Sequence, residues 1–120
     1  MEQERIENNP IVKLTFGFSL AVIACCMVLG AQKEFHLSKQ LFRSGNSIGA
    51  NGYEAQNAAS KADFIHQFKN AAKETDATQY WLLLCKKYNC LPDYSPLQTK
   101  LEEINKVISK IIATSETLSD

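Results

Sequence analysis

Between Leu14 and Ala31 the chain carries no charged side chain for eighteen consecutive positions. Eighteen residues make roughly 27 Å of helix, and here that length has no charged face to offer water. Such a helix needs cover around most of its circumference. Other protein helices can supply it, including those of further copies of the chain. So can membrane hydrocarbon, for which eighteen residues lie at the short limit. The flanks favour protein. A secretory signal opens on a basic segment, whereas Glu2, Glu4 and Glu7 outnumber Arg5 and Lys13 here. Leu29-Gly30-Ala31 is also a poor cleavage site, and Thr15, Gly17, Ser19 and Gly30 dilute the apolar run. The expectation is a helix buried on most sides within an oligomer. A membrane span over residues 14–31 is the alternative.

The rest of the chain divides into helical segments. Asn9 before Pro10 is a helix start, the amide capping and the proline filling the first turn. A first helix is predicted over 10–32, with Gly30 and Gln32-Lys33-Glu34 weakening its end into a short turn. A second is predicted over 36–58. Gly45, Gly49 and Gly52 fall inside it, each costing up to about 1 kcal/mol against alanine. Close approach of another backbone would account for all three; the competing expectation is a break near Gly45. Ser60, with Asp63 three residues on, caps a third helix over 61–89. Its stripe is Phe64, Phe68, Ala71, Thr75, Thr78, Leu82 and Cys85, and Asn89 and Pro92 stop it. Ser95-Pro96 opens a fourth over 95–115, with Leu97, Leu101, Ile104, Ile108, Ile111 and Ile112 at near-heptad spacing. The tail from Thr114 to Asp120 is expected to fray. Nothing reads as a strand. Residues 1–120 are expected to form one all-α domain, an antiparallel up-down-up-down four-helix bundle.

At about 100° per residue, Arg43, Ser47, Asn51 and Glu54 share one side of the second helix, while Leu37, Leu41, Ile48, Gly52 and Ala55 lie roughly opposite. A face of Arg, Ser, Asn and Glu suggests hydrogen-bonded contact with another helix, another subunit or a ligand. The favoured reading is a polar interhelix lock, with Arg43 paired to Glu54 or to a third-helix carboxylate.

The same region carries a family resemblance. Leu37-Ser38-Lys39-Gln40-Leu41-Phe42-Arg43-Ser44-Gly45-Asn46-Ser47-Ile48-Gly49-Ala50-Asn51 is followed by Glu54-Ala55, Lys61-Ala62-Asp63-Phe64, Lys73-Glu74 and Tyr80-Trp81-Leu82. In that order these resemble the 23S rRNA-intervening sequence protein family, from about Asn9 onward. The resemblance implies a four-helix bundle assembling into a homo-oligomeric ring, a pentamer. Relatives include the accessory variability determinant of diversity-generating retroelements, so RNA or DNA and a reverse transcriptase, or another protein, are the partners it implies. The chain departs from the family pattern in two places. Relatives usually intersperse charges in the first helix, and they often carry Glu where this chain has Tyr53 and Ala77. Glu74 or Asp76 could replace those acidic partners.

Thirteen basic and thirteen acidic residues cancel, so nucleic-acid binding would need a local patch. The candidates are the i,i+4 pairs Lys39–Arg43, Lys69–Lys73 and Lys106–Lys110, with the doublet Lys86-Lys87. A ring would repeat each patch once per subunit. The competing reading is ordinary solvated lysines balanced by Glu74, Asp76, Glu102 and Glu103. The four cysteines and two histidines form no metal-ligand pattern. Cys25, Cys26 and Cys85 read as small buried hydrophobes of a reducing cytoplasm. No phosphate loop, nucleophile elbow or dinucleotide fingerprint is present. The expectation is a non-enzymatic protein with no catalytic, cofactor or metal site.

Overall fold

The computed structural model describes residues 6–88, 90 and 95–118. Four long helices account for most of them: α1 (Pro10–Ala31), α2 (Phe35–Ala55), α3 (Lys61–Tyr88) and α4 (Ser95–Thr117). No strand occurs among the described residues. Each helix packs on two others, α1 on α2 and α4, and α3 on α2 and α4. The pairs α1/α3 and α2/α4 therefore stand diagonally across the bundle. Short connections make sequential neighbours antiparallel, and the molecule is elongated, 50 × 29 × 20 Å.

The helix ends follow from a few residues. At the start of α1 the Asn9 side chain accepts a bond from the Val12 N–H at 3.3 Å, with Pro10 in the first turn. Asn9 Nδ2 also donates to Gln56 Oε1 at 2.8 Å, tying the beginning of α1 to the end of α2. α1 stops at Ala31 in a Schellman-type turn. Lys33 takes a left-handed φ of 65°, its N–H reaches the Gly30 carbonyl, and the Glu34 N–H reaches that of Leu29. Lys33 thus occupies the position that most helices give to glycine.

α2 runs unbroken through its three glycines. A Cβ on Gly45 would lie 2.9 and 3.0 Å from the two γ-carbons of Val22, and one on Gly49 would lie 3.4 Å from Thr15. These two glycines let α1 approach closely, as expected, so packing offsets their low helix propensity and the competing expectation of a break near Gly45 fails. α2 ends at Ala55, short of Ala58. The N–H groups of Gln56, Asn57 and Ala58 bond three residues back, tightening the chain into a turn.

At the start of α3, Ser60 Oγ accepts from the Asp63 N–H at 3.0 Å, and Asp63 Oδ2 accepts from the Ala59 N–H at 3.1 Å. The reciprocal bond thus lands one residue before the cap. The expected stop at Asn89 and Pro92 lies outside the described residues. α4 stays helical through Thr117, beyond the predicted onset of fraying. Lys69 Nζ meets Glu116 Oε2 at 3.2 Å, and Lys61 Nζ bonds the Leu118 carbonyl, fastening that end to α3.

The core holds Phe18, Val22 and Leu29 from α1, Leu41 and Ile48 from α2, Phe68, Leu82 and Cys85 from α3, and Leu101, Ile104 and Ile108 from α4. Each large apolar chain removed from water contributes about 1.5–3 kcal/mol.

Candidate self-association surface

α1 divides lengthwise. Thr15, Phe18, Val22, Cys25, Cys26 and Leu29 point into the core, whereas Phe16, Leu20, Ile23 and Met27 stand in solvent. The exposed set recurs at i, i+4, i+7 and i+11, one continuous apolar stripe. Leu20 is 56% and Met27 72% exposed. The stripe begins beside α2. Phe16 and Ser19 there join Val12, Thr15, Gly49, Ala50 and Tyr53 around an apolar groove of about 420 Å³. Phe42 of α2 adds an exposed ring. On its other flank, α1 borders a groove lined by Lys13, Lys100 and Glu103. α1 is long and apolar enough to cross a membrane, yet one face of it serves the bundle core and charged groups lie beside it.

α3 carries a second exposed apolar face. Tyr80, Leu84 and Tyr88, spaced four apart, project to solvent with Leu83 beside them, and Tyr88 is 67% exposed. Tyr80 stacks edge-on against Trp81, ring centroids 5.2 Å apart.

The polar line of α2 is arranged differently from a ligand-binding network. Arg43 Nη1 pairs with Glu74 Oε2 of α3 at 3.1 Å, not with Glu54. Ser47 Oγ donates to the Arg43 carbonyl at 2.6 Å, and Asn51 Nδ2 to the Ser47 carbonyl at 2.8 Å. Both side chains therefore satisfy their own helix, as short polar groups do mid-helix. Glu54 is exposed. The polar contact buried between α2 and α3 is another one: Thr78 Oγ1 donates to Ser44 Oγ at 3.0 Å, both residues fully buried. Sequence reasoning placed Thr78 in the α3 stripe and missed Ser44. A serine falling between Leu41 and Ile48 on the apolar side was the available signal. Between α3 and α4, Gln79 and Gln98 exchange reciprocal amide bonds of 2.9 and 2.8 Å.

The candidate cations do not gather into one patch. Lys39 and Arg43 line a shallow groove on α2 with Phe42 and Asn46. Lys106 and Lys110 are exposed on α4, diagonally across the bundle. Lys69 is engaged with Glu116. Lys73 is exposed on α3, and Lys86 and Lys87 are exposed in its last turn.

All four cysteines are free and buried, Cys90 included. Cys26 Sγ donates to the Ser38 carbonyl at 3.3 Å while Ser38 Oγ returns a bond to the Cys26 carbonyl at 3.1 Å, clamping α1 to α2. Burial, reinforced by the neighbouring thiols Cys26 and Cys90, pushes Cys25 up to about 11. Burial and contact with Cys90 push Cys85 up to about 12. Such thiols stay protonated and are poor nucleophiles at neutral pH. Among the described residues no group of His, Cys, Asp and Glu is arranged to hold a metal ion.

No curated protein matches this chain. Among solved structures it is similar to a protein of unknown function from the S23 ribosomal protein family of Bacteroides thetaiotaomicron, determined by crystallography at 1.70 Å. The two are 38% identical with a TM-score of 0.82, over 85% of this chain and 97% of that one. Residues 7–110 match the 23S rRNA-intervening sequence protein family. With nearly the whole chain matched in sequence and the fold shared with a solved relative, this protein belongs to the 23S rRNA-intervening sequence protein family.

Proposed function

We propose that this protein works as a non-enzymatic, self-assembling helical scaffold whose functional form is a homo-oligomer. The observation that carries the reading is the solvent-facing stripe Phe16, Leu20, Ile23 and Met27 on a helix whose other face is already committed to the core. Contiguous apolar surface of this kind marks an interaction site. The charged groove beside α1 favours a protein partner over lipid, because Lys13, Lys100 and Glu103 would be costly to place in hydrocarbon. A closed ring is the assembly that the family resemblance implies. The protonated, buried thiols support the non-enzymatic part of the reading.

Size-exclusion chromatography with light scattering in detergent-free buffer tests this, with the 260/280 absorbance ratio recorded on the same peak. A discrete oligomer with a protein-like ratio is expected. A stable monomer, or aggregate that only detergent disperses, refutes self-assembly, the latter in favour of a lipid-facing α1. A raised ratio that falls with salt would show that the dispersed lysines act together on nucleic acid once repeated around an assembly.

A further inference from the structure

The end of the bundle where α1 and α3 finish gathers the thiols: Cys25 and Cys26 from α1, Cys85 from α3 and Cys90 just beyond it, each free and buried. We propose that Cys85 and Cys90 are a hydroperoxide-sensitive pair, which oxidation closes into a disulfide that clasps the C-terminal turn of α3. Both sulfurs belong to one chain, so the bridge needs no second copy.

Backbone geometry already brings the two residues together. The Cys90 N–H bonds the Cys85 carbonyl at 3.1 Å, which holds their α-carbons within about 7 Å, the outer reach of a disulfide. The side chains converge as well. Cys90 Sγ donates to the same carbonyl at 3.6 Å, and the two thiols are hydrogen-bonded to each other. Cys25 and Cys26 are less well placed to bridge. They are adjacent in a helix, where successive side chains diverge by about 100°, and Cys26 is engaged with Ser38 of α2.

The two members of the pair differ in access. Cys90 is 7% exposed and Cys85 wholly buried, so the oxidant meets Cys90 first. The Cys90 sulfur, having given its proton to solvent, attacks one oxygen of hydrogen peroxide. The O–O bond breaks, leaving a sulfenic acid on Cys90 and one water. The Cys85 sulfur then attacks Cys90 Sγ, the S–O bond breaks, and hydroxide leaves with the Cys85 proton as a second water. Two thiols lose two electrons and one peroxide becomes two waters. Burial and contact with Cys90 push Cys85 up to about 12, which slows the second step at neutral pH. The pair therefore answers sustained oxidant rather than a passing pulse.

The test treats the full reduced chain with hydrogen peroxide, alkylates the remaining thiols in denaturant, and maps tryptic peptides by mass spectrometry. Cleavage between Lys86 and Lys87 parts Cys85 from Cys90, while Cys25 and Cys26 share the peptide 14–33. Peptide 74–86 should emerge linked to 88–100, the link vanishing with dithiothreitol, and Cys25 and Cys26 should be alkylated. Cys90→Ala should abolish the link and Cys25→Ala leave it unchanged, with circular dichroism confirming that both stay helical. Hydrogen exchange at the Cys90 amide should slow about 10-fold on oxidation, because the bridge closes the turn that holds this bond. Peptide 14–33 linked to 88–100 would make α1 the partner and refute the pair. So would a Cys90 that advances to sulfinic acid while Cys85 stays alkylatable, or a chain that keeps all its thiols at millimolar peroxide. Unchanged exchange at Cys90 in the linked chain would refute the clasp.

Discussion

Replacing Gly45 by alanine should destabilise the protein, although alanine is the better helix former. In an open helix interior the exchange would gain about 1 kcal/mol. Here the new methyl would sit 2.9 Å from Val22 Cγ2 and 3.0 Å from Val22 Cγ1. Valine is stiff at χ1 in a helix, so turning one γ-carbon away brings no relief. Overpacking of this kind costs about 1–3 kcal/mol, which leaves a net loss of roughly 1 kcal/mol. The sign should reverse when Val22 is cut back. In a Val22→Ala background both clashing atoms are gone, and Gly45→Ala should then stabilise, partly refilling the space that Val22→Ala opens. Urea unfolding followed by circular dichroism at 222 nm measures all four proteins, at one fixed protomer concentration because assembly shifts apparent stability. Gly52→Ala is the control: its Cβ would lie 3.7 Å from the Phe68 ring, an ordinary contact. If Gly45→Ala stabilises wild type as much as it stabilises Val22→Ala, close approach is not what keeps glycine at this position.

Other substitutions probe the polar contacts and the turn. Thr78→Val should cost about 1–3 kcal/mol by stranding the buried Ser44 hydroxyl, whereas Ser44→Ala combined with Thr78→Val should recover most of it; a fully additive cycle would dismiss the pair as coupled. Arg43→Ala should change stability by less than about 1 kcal/mol, and less still at high salt, because its side chain is 59% exposed. Lys33→Gly should raise the unfolding free energy by about 1 kcal/mol, seen as a higher urea midpoint, through relief of the left-handed backbone at φ 65°. Alkaline pH should weaken the fold through the thiols. The unfolded chain ionises Cys25 and Cys85 near 9.0, the folded chain only around 11 and 12. Their contribution is therefore complete below pH 9 and lost as pH rises through those higher values. The wild-type stability curve minus that of Cys25→Ala/Cys85→Ala should fall over this range, and a flat difference would contradict it.

The helices, their caps and their core stripes were legible because each depends on a few residues close together in the chain. Asn9 with Pro10 and Ser60 with Asp63 act within one turn, and the spacing of Leu97, Leu101, Ile104 and Ile108 carries its own period. The ends of α2 and α4 were less legible. Ala55 ends α2 through a tightened turn with no glycine or proline to mark it, and α4 is held to Thr117 by contacts with Lys61 and Lys69, about fifty residues earlier.

By itself the sequence determined four helical segments, the face of α2, α3 and α4 that turns inward, and the need of Leu14–Ala31 for more cover than a polar surface provides. The tertiary structure alone decided which groups meet. Arg43 reaches Glu74 and not Glu54, Ser44 rather than Ser47 locks to Thr78, and the lysines scatter over diagonal helices. It also left Phe16, Leu20, Ile23 and Met27, with Val28, as the large apolar residues of α1 in solvent. Local periodicity gives a helix its character, but the rotation of each helix about its axis is set by packing across the whole bundle. An uncharged helix such as α1 has no polar face to announce that rotation.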